Sequence, residues 1–100
     1  MQVRLITVFI KPQHAERFIE HTKELAAAAR AVGNPKQFQV IQRDYDPNEF
    51  VLVEVYESEE LRQEHLNSEA FLKWRKAVAS SFSKALVNIQ YHPIDMGFGG

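Results

Sequence analysis

A chain of 100 residues, 45% apolar, with 12 basic and 13 acidic side chains giving a formal charge of −1, fits one compact domain over residues 1–100 with a modest core. The two signs are interspersed and no basic run could track a phosphate backbone, which argues against nucleic acid and anionic membranes as partners. The absence of cysteine excludes disulfides, thiolate metal sites and thiol nucleophiles, no apolar run approaches the ~20 residues of a membrane helix, and without a leader-like start a cytoplasmic protein is expected.

Val3 to Lys11 is β-branched and aromatic and stops at Pro12, which cannot extend a ladder; it reads as a first strand. From Gln13 to Val32 the apolar positions Phe18, Ile19, Leu25, Ala26, Ala29 and Val32 recur at helical spacing, and Gly33-Asn34-Pro35 ends the helix. Lys36 to Asp44 reads as a second strand with Phe38 and Val40 on one face and Ile41 on the other. Asp44 to Asn48 is a turn, and Phe50 to Glu57 returns as a third strand. Ser58 caps a short helix with Glu59 and Glu60 in its first turn. Asn67 and Ser68 interrupt, and a further helix is expected from Glu69 to Phe82 with Phe71, Trp74, Val78 and Phe82 on one stripe. Ala85 to His92 is the fourth strand, ended by Pro93. The tail at 93–100 alternates Ile94, Met96 and Phe98 with polar or glycine positions.

The order βαββαβ with right-handed crossovers puts both helical segments on one face of a four-stranded antiparallel sheet, an α+β ferredoxin-like domain. Its other face needs a different cover. Side chains alternate along a strand, so Val51, Val53 and Val55 oppose Phe50, Leu52, Glu54 and Tyr56. The valines form the plainer helix-packing stripe, which assigns the aromatic and polar set to the bare face. Thr7 and Phe9 join it from strand one, because Ile6, Val8 and Ile10 suit the helices better. An apolar face of this size is an association site. Each large side chain buried contributes about 1.5–3 kcal/mol, so a homodimer with its sheets face to face, a dimeric α+β barrel enclosing a cavity, is expected.

Several positions admit two readings. Tyr56 is an interface tyrosine or a pocket group, and Glu54 a paired structural carboxylate or a base. His65, four residues after Leu61 on the short helix, is a general base, a substrate donor or a loop-pinning side chain. His14 and His21 read as solvated, His92 ends a strand, and Ser80, Ser81 and Ser83 read as a solvated helix end. Trp74 reads as core. The histidines have no metal-ligand spacing, so no metal site is expected. No phosphate loop, nucleophile elbow or dinucleotide fingerprint occurs; Gly97, Gly99 and Gly100 follow a strand rather than open a helix. An RNA-recognition module shares the βαββαβ frame, but strand three, EFVLVEVYE, has three glutamates and no cation.

The run EVYESEELRQEHLNSEAF, with Glu54, Tyr56, Ser58, Leu61, His65, Ser68 and Phe71, resembles the antibiotic biosynthesis monooxygenase domain family of dimeric α+β barrels. VRLITVFIKP, the GNP helix end, QFQVIQRD and DPNEF also fall where that family has them, so the resemblance covers residues 1–92. It implies a small-molecule pocket between sheet and helices of a homodimer and, in the small-protein branch, oxygenation of a phenolic or quinol-type substrate without flavin, metal or other cofactor. His65 would accept the proton, Tyr56 hydrogen-bond a substrate oxygen and Glu54 orient a neighbour. Phe9 and Phe50 would pack on the substrate ring, with Thr7 and Phe71 as further contacts. The same branch includes an isomerase of a phosphorylated signal, for which Arg43 or Lys11 would meet the phosphate. A dimer that binds a metabolite without turnover is the remaining alternative. Haem-degrading relatives use an asparagine on strand one and a later histidine; here Thr7, Phe9 and Arg75 stand at those places, which disfavours haem.

Overall fold

The computed structural model describes residues 1–97. Phe98, the last apolar position of the alternating tail, and Gly99 and Gly100 lie outside the described residues. The elements are β1 (Gln2–Ile10), α1 (Ala15–Val32), β2 (Gln37–Arg43), β3 (Asp46–Tyr56), α2 (Glu59–Leu66), α3 (Glu69–Val78) and β4 (Phe82–Tyr91). The four strands are antiparallel in the order β2-β3-β1-β4. This is the α+β ferredoxin-like arrangement that the βαββαβ order implies. Among the described residues no helix is long and apolar enough to cross a membrane.

Local chemistry sets the helix ends. Gly33 adopts the left-handed conformation (φ 78°) that closes α1, its N–H donating to the Ala29 carbonyl at 2.8 Å. Ser58 and Ser68 each accept at 3.1 Å from the backbone N–H three residues on, Leu61 and Phe71, and so start α2 and α3. The turn between β2 and β3 is tighter than its Asp-Tyr-Asp-Pro-Asn composition suggests. Pairing already resumes with Arg43 opposite Asp46, and Pro47 sits where β3 extends past the end of its β1 pairing.

At the other end of the chain, Phe82 is not the last residue of α3 but the first of β4, opposite Ile10. The helix ends early because the Ser81 carbonyl accepts from Lys11 N–H at 2.8 Å, which draws the chain into the β1 edge. Ser81 is accordingly buried, with its hydroxyl 3.0 Å from His14 Nδ1, rather than part of a solvated cluster, and His14 is only partly exposed.

The larger correction concerns the two faces of β3. Phe50, Leu52, Glu54 and Tyr56 face the helices and are all buried, whereas Val51, Val53 and Val55 lie on the open face. Volume decides this. Helix α1 lies across the sheet and presents Phe18, whose ring centroid is 5.1 Å from that of Phe50 and 6.4 Å from that of Trp74 on α3. The gap between helices and sheet takes large rings, and valines would leave voids there. Val8, Ile10, Phe18, Phe50, Leu52 and Val78 form the buried core. Cross-strand pairing places Val8 beside Phe50 and Ile6 beside Leu52, so the helix-facing assignment of Ile6, Val8 and Ile10 holds. The open face carries Val3, Leu5, Thr7 and Phe9 from β1, the three valines of β3, and Val87, Ile89 and Tyr91 from β4. Val87 and Ile89 are each 47% exposed.

Candidate functional site

The site begins with a carboxylate placed where none could stand unpaired. Glu54 is 4% exposed and Tyr56 fully buried, two residues apart on the same face of β3. The Tyr56 hydroxyl donates to Glu54 Oε1 at 2.6 Å, a short charge-assisted geometry. Burial pushes the Glu54 carboxyl above the usual carboxylate range, against the opposing pull of that hydroxyl and of the Arg62 and Arg4 charges. Burial and the neighbouring carboxylate push Tyr56 up, well beyond the ordinary phenol range, so it stays a donor.

Glu54 opens on a cavity of about 110 Å³ between the sheet and α2–α3. Leu52, Leu66, Phe71, Trp74 and Leu86 supply its apolar wall, while Glu54, Arg62 and Asn88 are its polar members. The polarity is graded along the sheet. Cross-strand pairing sets Ile6 between Leu52 and Asn88, and one step further sets Arg4 between Glu54 and Gln90. One end of the cavity is therefore aromatic and aliphatic, and the other bears hydrogen-bonding and charged groups. For scale, an apolar cavity of about 150 Å³ holds benzene. At about 110 Å³ this one is smaller, so a single ring would extend past its rim.

His65 stands behind the aromatic wall. Its ring centroid lies 5.3 Å from Phe71, 6.0 Å from Tyr56 and 6.5 Å from Phe38. The residue is 4% exposed, its Nε2 has no hydrogen-bond partner among the described residues, and burial lowers its pKa. The imidazole is therefore neutral at neutral pH. The Ser68 hydroxyl donates to the His65 carbonyl at 2.7 Å, which fixes the α2–α3 corner. His65 lines a different cavity, of about 270 Å³, between α1 and the α2–α3 corner, together with Leu25, Ala29, Asn34 and Ser68.

Of the residues expected at the site, Glu54, Tyr56, His65 and Phe71 converge. Phe50 shares their face but packs on Phe18 in the core and lines a separate groove with Ile19, Phe38 and Val40. Thr7 and Phe9 lie on the opposite side of the sheet, where Lys84 Nζ sits 4.2 Å from the Phe9 ring. They do not face the Glu54 cavity, contrary to their expected contact with the same ligand as Glu54. Arg43 pairs with Glu49 at 3.1 Å near the β2–β3 turn, and Lys11 follows the far end of β1, so neither cation reaches the Glu54 cavity. The structure adds Arg62, Trp74 and Asn88 to the Glu54 cavity, with Arg4 beside Asn88. The signal for Arg62 was its place one helical turn before Leu66; Arg4 and Asn88 needed the strand register.

The chain is an α+β ferredoxin-like sheet roofed by helices, with a small amphipathic cavity and a buried carboxylate–phenol pair beneath them. The antibiotic biosynthesis monooxygenase family model matches residues 1–77, and the chain belongs to that family. No curated protein matches the sequence. Solved structures of proteins assigned by name to the same family share the fold. One from Nitrosomonas europaea has 24% identity and a TM-score of 0.89, the match covering 95% of this chain and 100% of that one. One from Bacteroides thetaiotaomicron has 20% identity and a TM-score of 0.89, covering 99% and 94%. One from Caulobacter crescentus has 18% identity and a TM-score of 0.88, covering 94% and 90%.

Proposed function

We propose that the protein is a monooxygenase of small, single-ring phenolic or quinol-type substrates, acting without a cofactor in the Glu54 cavity of a homodimer. The observation that carries this reading is a buried carboxylate of raised proton affinity, held by a phenol donor at 2.6 Å on the wall of an aromatic-lined cavity. Glu54 takes the substrate hydroxyl proton, for which a carboxyl shifted towards working pH is suited. The resulting electron-rich ring reacts with oxygen directly. One oxygen atom enters the substrate, the other leaves as water, and the substrate supplies the electrons. Tyr56 holds the carboxyl in place, and Phe71 and Trp74 hold the ring.

The open sheet face is the homodimer contact in this reading. Its valines and Ile89 are an apolar surface that water leaves unsatisfied and that a second copy, with the same face, would cover. Oxygen uptake with a panel of hydroquinones, with and without a ring carboxylate, tests the activity. Uptake that Glu54→Gln abolishes supports it, and silence across the panel refutes it.

One observation favours a second reading. His65 lines the cavity beside α1, and its buried Nε2 has no partner among the described residues; in this reading His65 is the proton acceptor. Uptake that survives Glu54→Gln and vanishes in His65→Phe would select it. The isomerase alternative has no cation at Arg43 or Lys11 to support it.

A further inference from the structure

Arg4 is the feature that the oxygenase reading leaves unused. It lies on the central strand β1, on the helix side, in register with Glu54 on one neighbour and Gln90 on the other. Its Nε donates to Gln2 Oε1 at 2.9 Å, and its terminal nitrogens donate to Asn88 Oδ1 at 3.4 Å and Gln90 Oε1 at 3.1 Å. All of these acceptors are neutral amides. Among the described residues no carboxylate lies within ion-pair distance of Arg4. A guanidinium carries five N–H donors, so some stay unengaged.

Asn88 both accepts from Arg4 and lines the Glu54 cavity, so the guanidinium lies next to a residue of the cavity's polar end without lining the cavity itself. Arg62 lines the same cavity from α2, and its side chain is 17% exposed. Its partner Glu59, at 2.9 Å, is half-exposed on the outer side and also accepts from Gln2 and Gln63. Glu59 thus pairs directly with Arg62, while Arg4 has no direct ion pair among the described residues and acts on Glu54, opposite it across the strand, only through its charge. If Arg4 served only to tie β4 to β1, a neutral amide donor would serve as well. A partly exposed cation whose hydrogen bonds go only to amides, with N–H groups to spare, is instead able to receive an oxyanion in bidentate fashion.

We propose that the polar end of the cavity is a carboxylate subsite, in which Arg4, flanked by Asn88 and Arg62, receives an acid group carried on the substrate ring. This rests on the oxygenase reading for the cavity's role and adds the class of substrate, a small phenolic acid rather than a neutral quinol. The ring lies against Phe71 and Trp74, and the acid stays at the rim. There it keeps part of its hydration, so the desolvation cost that burdens a buried ion pair is limited.

The test is calorimetric titration of the full chain with a dihydroxybenzoate and the matching dihydroxybenzamide, with oxygen uptake recorded for both. The acid is expected to bind about 10- to 100-fold more tightly, the range of a charge-assisted hydrogen bond. Added salt should erode that preference. Arg4→Gln should bring the acid down to the affinity of the amide, whereas Arg4→Lys should keep part of the preference. Should Arg4→Gln fail to fold, Arg62→Gln and the salt dependence of the native protein read the same quantity. Equal affinity for acid and amide in the native protein overturns the subsite, and turnover of both compounds alongside that equality leaves the oxygenase reading standing. A preference for the acid without oxygen uptake from either compound supports the subsite and removes the oxygenase reading. Binding of neither overturns both.

Discussion

Replacing Tyr56 by phenylalanine removes one hydroxyl from a fully buried ring and keeps its packing against His65. What is lost is the 2.6 Å hydrogen bond to a carboxyl that is itself 4% exposed. A hydrogen bond to a charged group contributes about 1.5–3 kcal/mol, and one between neutral groups about 0.5–1.5 kcal/mol. The cost therefore depends on whether Glu54 is ionised. Its folded-state proton affinity lies above the reference value of 4.5. The folded state thus binds more protons than the unfolded state, and this group's contribution to stability falls as pH rises from 4.5 through the raised value. Without the hydroxyl, which pulls the Glu54 pKa down, the raised value climbs further and the fall deepens.

For a domain of this size ~1 kcal/mol shifts the melting temperature by about 4–8 °C. Tyr56→Phe should accordingly lower Tm by about 6–24 °C above the Glu54 titration and by distinctly less below pH 4.5. Thermal unfolding followed by circular dichroism across pH, on native, Tyr56→Phe, Glu54→Gln and doubly substituted protein, measures this. The double variant separates the pair's coupling from the single losses. An unchanged Tm at neutral pH, or the same pH dependence surviving in Glu54→Gln, would refute the account of a phenol holding a buried carboxylate.

His65 should show the opposite sign. Its folded pKa is lowered by burial, so its contribution to stability is lost as pH falls through 6.5 towards the lowered value; His65→Phe should flatten that loss in acid unfolding curves. Since the Glu54 and His65 effects oppose each other in the native protein, each single variant should expose the other's slope. Glu54→Gln should reduce the rate of oxygen uptake by about 10²–10⁴-fold, the usual contribution of a positioned base, while leaving the far-ultraviolet spectrum unchanged. Val53→Asp, in the middle of the open face, should convert a dimer into a monomer in sedimentation velocity. Ser68→Ala removes both the α3 cap and the donor to the His65 carbonyl, and should cost about 1–2 kcal/mol in urea unfolding.

Local chemistry made most of the fold legible in advance. Gly33-Asn34-Pro35, the capping serines and the β-branched runs mark element ends within the chain itself, and the βαββαβ order with its crossover rule then leaves few topologies. The site was half legible. Glu54, Tyr56, His65 and Phe71 lie in one short segment, so a strand–turn–helix corner must bring them together. Arg4 and Asn88 are 84 residues apart and meet only because β1 and β4 are neighbours. No spacing in the chain could reveal that.

The choice of face on β3 shows the same boundary. Period-two alternation separates the valines from Phe50, Leu52, Glu54 and Tyr56, and this follows from the sequence alone. It does not say which set faces inward, because both are apolar enough to be buried. The space beneath α1 and α3 decided it: Phe18 and Trp74 leave room that rings fill and valines do not, and the hydroxyl of Tyr56 makes the accompanying carboxylate tolerable there. Packing volume and the pairing of buried polar atoms are properties of the assembled layers, so only the tertiary structure could supply them.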